Sequence, residues 1–376
     1  MGRILLAKAW QILPVLFLVS LGSFFLLELV PGDPAVAVLG DGATPDQLAQ
    51  VRDQLGLNEP LVQRYFGWIG GIVTGDFGNS IFPPNRSVAD LITQRLPVTL
   101  EVAGLTILLS LLISVPLALR SAYRPGDLVD RIATTGAFAA ISVPSFLAGL
   151  LLVYFLVFNS GTVKVMIGFV GVLAAGLTIR TAWSRIARVA DGVERRRELL
   201  RLAGSVVAIL VFTAIVVLWL PGFPRQGYAR LTEDGLWKNL KSVALPVATL
   251  TLTECAVFVR VLRSDLIETL GEDYILAARA KGMPAWRVLL SDALRPSLFS
   301  LITVISVTLG RVVGGSVIVE MIFNLPGMGR LTIDAITTKD YPVVQSCVLL
   351  VAIVYVLSSA AIDVAYAYLD PRIRRG

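Results

Sequence analysis

Apolar runs of bilayer-spanning length, roughly 20 residues each, alternate with basic or turn-rich stretches along almost the whole chain. They fall at about residues 9–30, 97–119, 135–158, 163–179, 202–220, 243–262, 297–319 and 343–369, and predict eight spanning helices in an all-α polytopic membrane protein. Basic residues favour the cytoplasmic side. Arg3 and Lys8 precede the first run, Arg120, Arg124 and Arg131 follow the second, and Arg260 and Arg263 follow the sixth. Asp370-Pro371-Arg372 and Arg374-Arg375 follow the last, so both termini are expected inside. A basic start and an apolar core also fit a signal peptide, but the first run is too long and no A-x-A-like site follows it, so an uncleaved helix is expected.

Between the runs lie several polar segments. Residues 31–96 open with the turn Pro31-Gly32-Asp33-Pro34 and are expected outside. Thr44-Pro45-Asp46 reads as a cap with proline in the first turn, and Leu48, Val51 and Leu55 form an apolar stripe before Gly56, which predicts a short amphipathic helix. A second one over 63–73 carries Tyr65, Phe66 and Trp68 where interfacial aromatics sit. A packed cap and a partner-binding surface both fit this segment. The runs 163–179 and 202–220 flank Arg180, Arg185, Arg188, Arg195, Arg196, Arg197 and Arg201, the pattern of a membrane hairpin, 159–220, with a cytoplasmic basic tip. Those arginines orient the helices or bind anionic lipid headgroups. Residues 221–241 and 320–341 read as external loops, the second with the turn Asn324-Leu325-Pro326-Gly327.

The polar interruption 264–296 is expected in the cytosol. Within it, Asp273 reads as an N-cap, 274–281 are mostly good helix formers, and Gly282 and Pro284 supply a stop, giving a helix of about two turns. Tyr274, Ala277, Ala278 and Lys281 recur three or four apart and share a face, with Arg279 off it. The small methyls permit close approach of a partner.

Composition narrows the chemistry. An apolar share of 55% and a mean hydropathy of +0.76 exceed what ordinary soluble domains show. The net charge of +6 lies between apolar runs, so no nucleic-acid role follows. Without a histidine, the chain lacks the usual neutral-pH base, the commonest metal ligand and any Ser-His-Asp arrangement. No catalytic or metal site is predicted. Cys255 and Cys347 fall inside apolar runs and predict no disulfide framework. No G-x-x-x-x-G-K-[ST] loop occurs, so this chain does not bind ATP by that device, and any energy source must come from another subunit. Intramembrane charges remain: Glu101 near an outer end, Glu254 in mid-span, Asp363 in an inner half, and Arg311. Scattered over three depths, the acids argue against a membrane-embedded enzyme. Gly310, Arg311, Gly314, Gly315 and Ser316 are candidates for a translocation path, a charge pair for Arg311 being the alternative.

Several ordered stretches carry a resemblance. They are Leu29-Val30-Pro31-Gly32-Asp33-Pro34, Gly56-Leu57 with Pro60-Leu61, Gly75-Asp76-Phe77-Gly78, Ser142-Val143-Pro144-Ser145-Phe146 and Ala278-Arg279-Ala280-Lys281-Gly282. To these add Phe323-Asn324-Leu325-Pro326-Gly327-Met328-Gly329-Arg330, Asp340-Tyr341-Pro342-Val343-Val344-Gln345 and Leu369-Asp370-Pro371-Arg372. Together they resemble the first of the two permease subunits of bacterial ATP-binding-cassette importers of the peptide and nickel transport group. The likeness covers nearly the whole chain apart from about 160–220. It implies a core of about six spanning helices in the cytoplasmic membrane, to which the hairpin 159–220 would be an insert. It also implies a second homologous permease, two ATP-binding subunits or a fused pair holding ATP and Mg, an extracytoplasmic solute-binding protein and a surrounding of membrane lipid. This chain itself would bind no cofactor.

By the same likeness, residues 273–296 are the loop whose short helix enters a cleft on the ATPase. Asp273, Tyr274, Ala277, Ala278, Ala280 and Gly282 would form the docking element, and Arg279, Lys281 and Arg287 its polar contacts. The family's pattern, E-A-A then glycine and a later I-x-L-P, is met at Ala277, Ala278 and Gly282. Leu276 replaces its glutamate, Asp292 its isoleucine, and the proline comes one place late at Pro296. Peptides are the expected solute. Nickel, glutathione and opines are the alternatives the same motifs admit, the lack of histidine weighing against a metal path.

Overall fold

The computed structural model describes residues 2–28, 33–40, 42–54, 56–82, 84–186, 192–219, 222–224 and 226–369. Outside the described residues lie the end of the first apolar run at Leu29-Val30, the turn at Pro31-Gly32, Leu55, Arg188, Pro221 and the basic terminus from Asp370, together with the side chains of Arg3, Lys8, Arg185 and Asp363.

Among the described residues every regular element is helical. In chain order they are α1 (Gly2–Glu28), α2 (Pro34–Leu39), α3 (Pro45–Gln54), α4 (Leu61–Thr74), α5 (Val88–Tyr123), α6 (Leu128–Ser142) and α7 (Ser145–Val153), which runs into a π turn at Tyr154–Phe158. Then come α8 (Ser160–Ile186), α9 (Gly192–Trp219), α10 (Leu231–Asp234), α11 (Leu236–Leu270), α12 (Asp273–Ala280) and α13 (Ala285–Arg287). A π turn at Val288–Ala293 leads into α14 (Leu294–Gly315), followed by α15 (Val317–Ile322), α16 (Met328–Thr338) and α17 (Tyr341–Leu369).

Six of these, α5, α8, α9, α11, α14 within Ala285–Gly315 and α17, are long and apolar enough to cross a membrane. A seventh results if the helices either side of Val143-Pro144 form one interrupted span, and α1 contains a shorter apolar helix, Ile12–Phe25. The third run is therefore broken where a single helix was expected. Proline disfavours helical backbone at the residue before it, and Val143 is extended at φ −91°, ψ 120°.

Three further expectations are corrected. The second span starts at Val88 and passes straight through Pro97 and Pro116. A membrane helix tolerates prolines because neighbouring groups re-satisfy the freed carbonyls. The loop 221–241 contains α10 and the first turns of α11. The loop 320–341 is mostly helix, since Met328, Leu331 and Ala335 recur on one face of α16 and are buried there. In the 31–96 segment, Thr44 and Gln47 form a reciprocal cap at the start of α3: the Thr44 amide donates to Gln47 Oε1 (3.0 Å) and the Gln47 amide to Thr44 Oγ1 (3.4 Å). Of the three aromatics on α4 only Phe66 is widely exposed; Tyr65 is buried, its hydroxyl 2.8 Å from Ser20 Oγ and its ring edge-on to Phe24 of α1.

The chain divides into two compact units. The first, Met1–Phe146 with Pro246–Gly376, holds two apolar cores. One gathers Ala118 and Ala122 of α5, Phe258, Leu262 and Leu266 of α11, Ile275 of α12, Val288 and Ala293 of the second π turn and Leu301 of α14. The other gathers Val88 and Ile92 of α5, Met328, Leu331 and Ala335 of α16, and Val343, Val344 and Cys347 of α17. Helix α5 has 36 residues, about 54 Å at 1.5 Å per residue, so one continuous helix joins the two cores. The second unit, Leu147–Leu245, is built on α8 packed along α9. A Cβ on Gly171 would lie 2.3 Å from Thr213 Oγ1, so the glycine is what lets these helices approach.

Candidate functional site

Helix α12 spans eight residues, the two turns that the sequence predicts. Its N-cap is Glu272, with no side-chain bond to the free amides; Asp273 is the first helical residue and not the cap. There its carboxylate still favours the positive end of the helix. The stop is as expected. Gly282 has φ +77°, its amide donates to the Arg279 carbonyl (2.9 Å), and the Met283 amide reaches back to the Ala278 carbonyl (3.3 Å). This double closure needs a left-handed residue at its corner, which glycine adopts without strain.

The anchor of α12 is a residue that sequence reasoning passed over. Ile275 is fully buried among Leu262, Leu266 and Val288, and Ala278, one turn on, packs against the same core. The expected face is therefore divided: Ala278 faces inward, while Tyr274, Ala277 and Lys281 stay exposed. Arg279, Ala280 and Arg287 are exposed as well. The Tyr274 hydroxyl lies 3.4 Å from the Asp292 carbonyl, and partial burial followed by the charges of Glu272 and Asp292 pushes it above its usual pKa, so it remains a donor. Beside it Leu276, Trp286 and Leu290 are each more than half exposed. These large apolar side chains are exposed on an otherwise polar loop. Their signal in the sequence was large apolar residues lying off the anchored face.

Next to them is a 650 Å³ cavity whose lining includes Arg124, Pro125, Gly271, Arg279, Met283 and Leu289. The α5–α6 turn that forms one wall is tied down by charge. Asp127 caps α6 at the Leu128 amide (2.7 Å) and accepts from Arg120 Nη2 (2.8 Å); the Arg120 bond first, then the amide, holds its carboxyl below the usual range. Arg263 of α11 grips buried Asp130 of α6 with two nitrogens, at 2.5 and 2.9 Å, and the Gly126 amide adds a third donor at 2.7 Å.

The proline that falls one place late also has a structural counterpart. It follows the π turn Val288–Ala293, and a π turn accommodates one residue more than an α turn. Across the π turn Val288 and Ala293 both remain buried.

The residues proposed for a path behave differently. Arg311 Nη2 donates to both oxygens of buried Glu254, at 2.8 and 2.6 Å, and Thr308 Oγ1 adds a bond at 3.3 Å, so the charge-pair alternative is realised. Gly310 and Gly314 are packing positions: added Cβ atoms would meet Tyr355 at 1.8 Å and Val351 at 3.1 Å, both on α17. Ser316 is buried and donates to Glu320 Oε1 (3.0 Å). Gly315 is exposed.

Glu320 was not singled out from sequence, yet it organises the other end of the unit. Its buried carboxylate accepts from Thr99 Oγ1 (2.8 Å), Ser316 Oγ and the Arg330 amide (2.9 Å), while Thr99 accepts from the Met328 amide (2.8 Å). Glycine is required around it, since a Cβ on Gly327 would stand 2.3 Å from its carboxyl carbon.

The resemblance implies a short helix on this loop, and α12 is a helix of eight residues there. Residues 114–375 match the family described as "Binding-protein-dependent transport system inner membrane component", and residues 1–103 match the N-terminal description of such membrane components. The chain belongs to this family. It is accordingly a multi-pass inner-membrane permease with an all-α fold. Similar curated proteins include the probable peptide ABC transporter permease protein y4tP of Sinorhizobium fredii, 32% identical with both chains fully covered. The dipeptide transport system permease protein DppB of Escherichia coli is 30% identical, covering 100% of this chain and 99% of that one. The oligopeptide transport system permease protein AppB of Bacillus subtilis is 29% identical over 99% of each.

Proposed function

We propose that this permease forms half of the translocation pathway of an ATP-driven importer of dipeptides or oligopeptides and that α12 transmits the ATPase stroke to it. The observation that carries the reading is the two-sided build of α12. Ile275 and Ala278 join it to the core shared by α5, α11 and α14, while Tyr274, Leu276, Trp286 and Leu290 are exposed apolar side chains. A push on those side chains is delivered to three long helices at once, which is what alternating access between inward-open and outward-open states needs. ATP and Mg are held by partner subunits, a second permease completes the pathway, and a binding protein outside delivers the solute. The peptide assignment rests on the relatives named for peptide transport.

A strain lacking this gene, complemented with the wild type, tests the reading through uptake of labelled di- and oligopeptides and of nickel. Peptide uptake restored by the complementing copy is expected. Restored nickel uptake with no effect on peptides would overturn the solute assignment.

A further inference from the structure

The helix pair of the second unit carries a feature that the transport reading does not use. We propose that α8 and α9 bind one anionic phospholipid, its headgroup on Arg180, Arg195, Arg196, Arg197 and Arg201 and its acyl chains in an apolar groove between the helices. The groove has a volume of 820 Å³, and its lining is almost entirely apolar, with Ile167, Gly171 and Ala174 of α8 and Ala208, Ile209 and Phe212 of α9. Both helices are otherwise exposed along their apolar length. Residues 180–201 hold seven arginines against Asp191, Glu194 and Glu198, a net charge of +4. Of these Arg180, Arg195, Arg196, Arg197 and Arg201 are exposed, Arg201 sharing its charge with Glu198 at 2.8 Å.

Register connects charge to groove. Arg197, Arg201, Gly204, Ala208 and Phe212 follow one another at spacings of three or four, so a single face of α9 leads from two arginines into the groove. The depths agree on both helices. From Arg180 to Ala174 is about 9 Å along α8, and from Arg201 to Ala208 about 10 Å along α9. Trp183 is exposed beside the arginines, where an aromatic marks the interfacial level. From that level the groove begins about 10 Å down and continues past the depth of one leaflet, about 15 Å. This is where the lower half of an acyl chain lies when its phosphate is at the arginines. A lipid surface with negative headgroups supplies both the charge and the chain.

The test uses the full chain purified in neutral detergent and native mass spectrometry with phosphatidylglycerol or phosphatidylcholine of identical acyl chains. Wild type is expected to retain phosphatidylglycerol at about tenfold lower lipid concentration than phosphatidylcholine, since basic residues near the headgroup favour the anionic lipid. Replacing Arg195, Arg196, Arg197 and Arg201 together by glutamine should bring the two lipids level. Ala208→Phe, which fills the groove, should lower retention of both. All five positions are exposed, so unchanged thermal unfolding is expected alongside. Equal retention of the two lipids by wild type, a preference that survives the arginine replacements, or full retention by Ala208→Phe would each overturn the proposal, the last leaving the groove to a partner helix.

Discussion

At the scale of single residues, buried charge separates positions that matter for folding from positions that meet partners. Glu254 is buried and Arg311 is its counter-charge. Removing Arg311 strands a buried carboxylate, at a penalty below the about 3–5 kcal/mol of a fully buried pair because Arg311 itself is half exposed, whereas neutralising both is far milder. Arg311→Gln should therefore lower the apparent Tm strongly and the double variant Glu254→Gln/Arg311→Gln should recover most of the loss. A double variant no more stable than the single one would show that the pair is not coupled. Asp340 gives a second case. Burial raises its pKa against the bonds it accepts from Ser80 (2.5 Å), Ile81 and Val343. A carboxyl whose folded pKa is raised favours folding fully below its ordinary value, and that contribution disappears as pH climbs through the raised one. Asp340→Asn, which cannot ionise, should thus gain in Tm relative to wild type as pH rises above the ordinary carboxylate value of 3.8, and a gap that narrows with rising pH would contradict the assignment.

At the scale of elements, what the sequence revealed and what it hid follow from how local the causes are. The stop of α12 was legible because Gly282 and Met283 bond only to carbonyls within five residues. The anchor Ile275 was not, because its environment comes from Leu262, Leu266 and Val288 on other elements. Glu320 was hidden for the same reason: its partner Thr99 is 221 residues away. Proline misled in both directions. Pro97 suggested a helix start that α5 overrides, and Pro144 sat inside a run that breaks beside it. The π turn at Val288–Ala293 yields a prediction of this scale. If it absorbs one extra residue, deleting exposed Ser291 should let the segment close as ordinary helix. Membrane levels and peptide uptake should stay within about twofold of wild type, since a closed α turn restores regular bonding. Deletion of Leu276 from the middle of α12 would instead rotate Ala278 off the core and abolish uptake. Equal loss in both deletions would refute the account of the π turn.

At the scale of the whole molecule, sidedness turns on the interrupted run at Val143-Pro144. Read as one span, it puts residue 159 outside, the arginine tip of the hairpin inside, and α12 inside after α11, which agrees with the basic residues at every step. Read as a re-entrant segment, it leaves residue 159 inside, and every later loop changes sides. The tip with its net +4 would then face outward, and so would α12, against the bias that basic loops obey. The first arrangement predicts a labelling pattern. With Cys255 and Cys347 replaced by alanine, single cysteines at exposed Glu59, Gln226 and Asp334 should react with a membrane-impermeant maleimide in intact spheroplasts. Cysteines at exposed Arg124, Arg196 and Lys281 should react only after permeabilisation. The decisive position is Arg196, because it lies between the disputed run and α12. Labelling there in intact spheroplasts would invert every later loop, move α12 away from the cytosol, and remove the basis for its proposed contact with an ATPase.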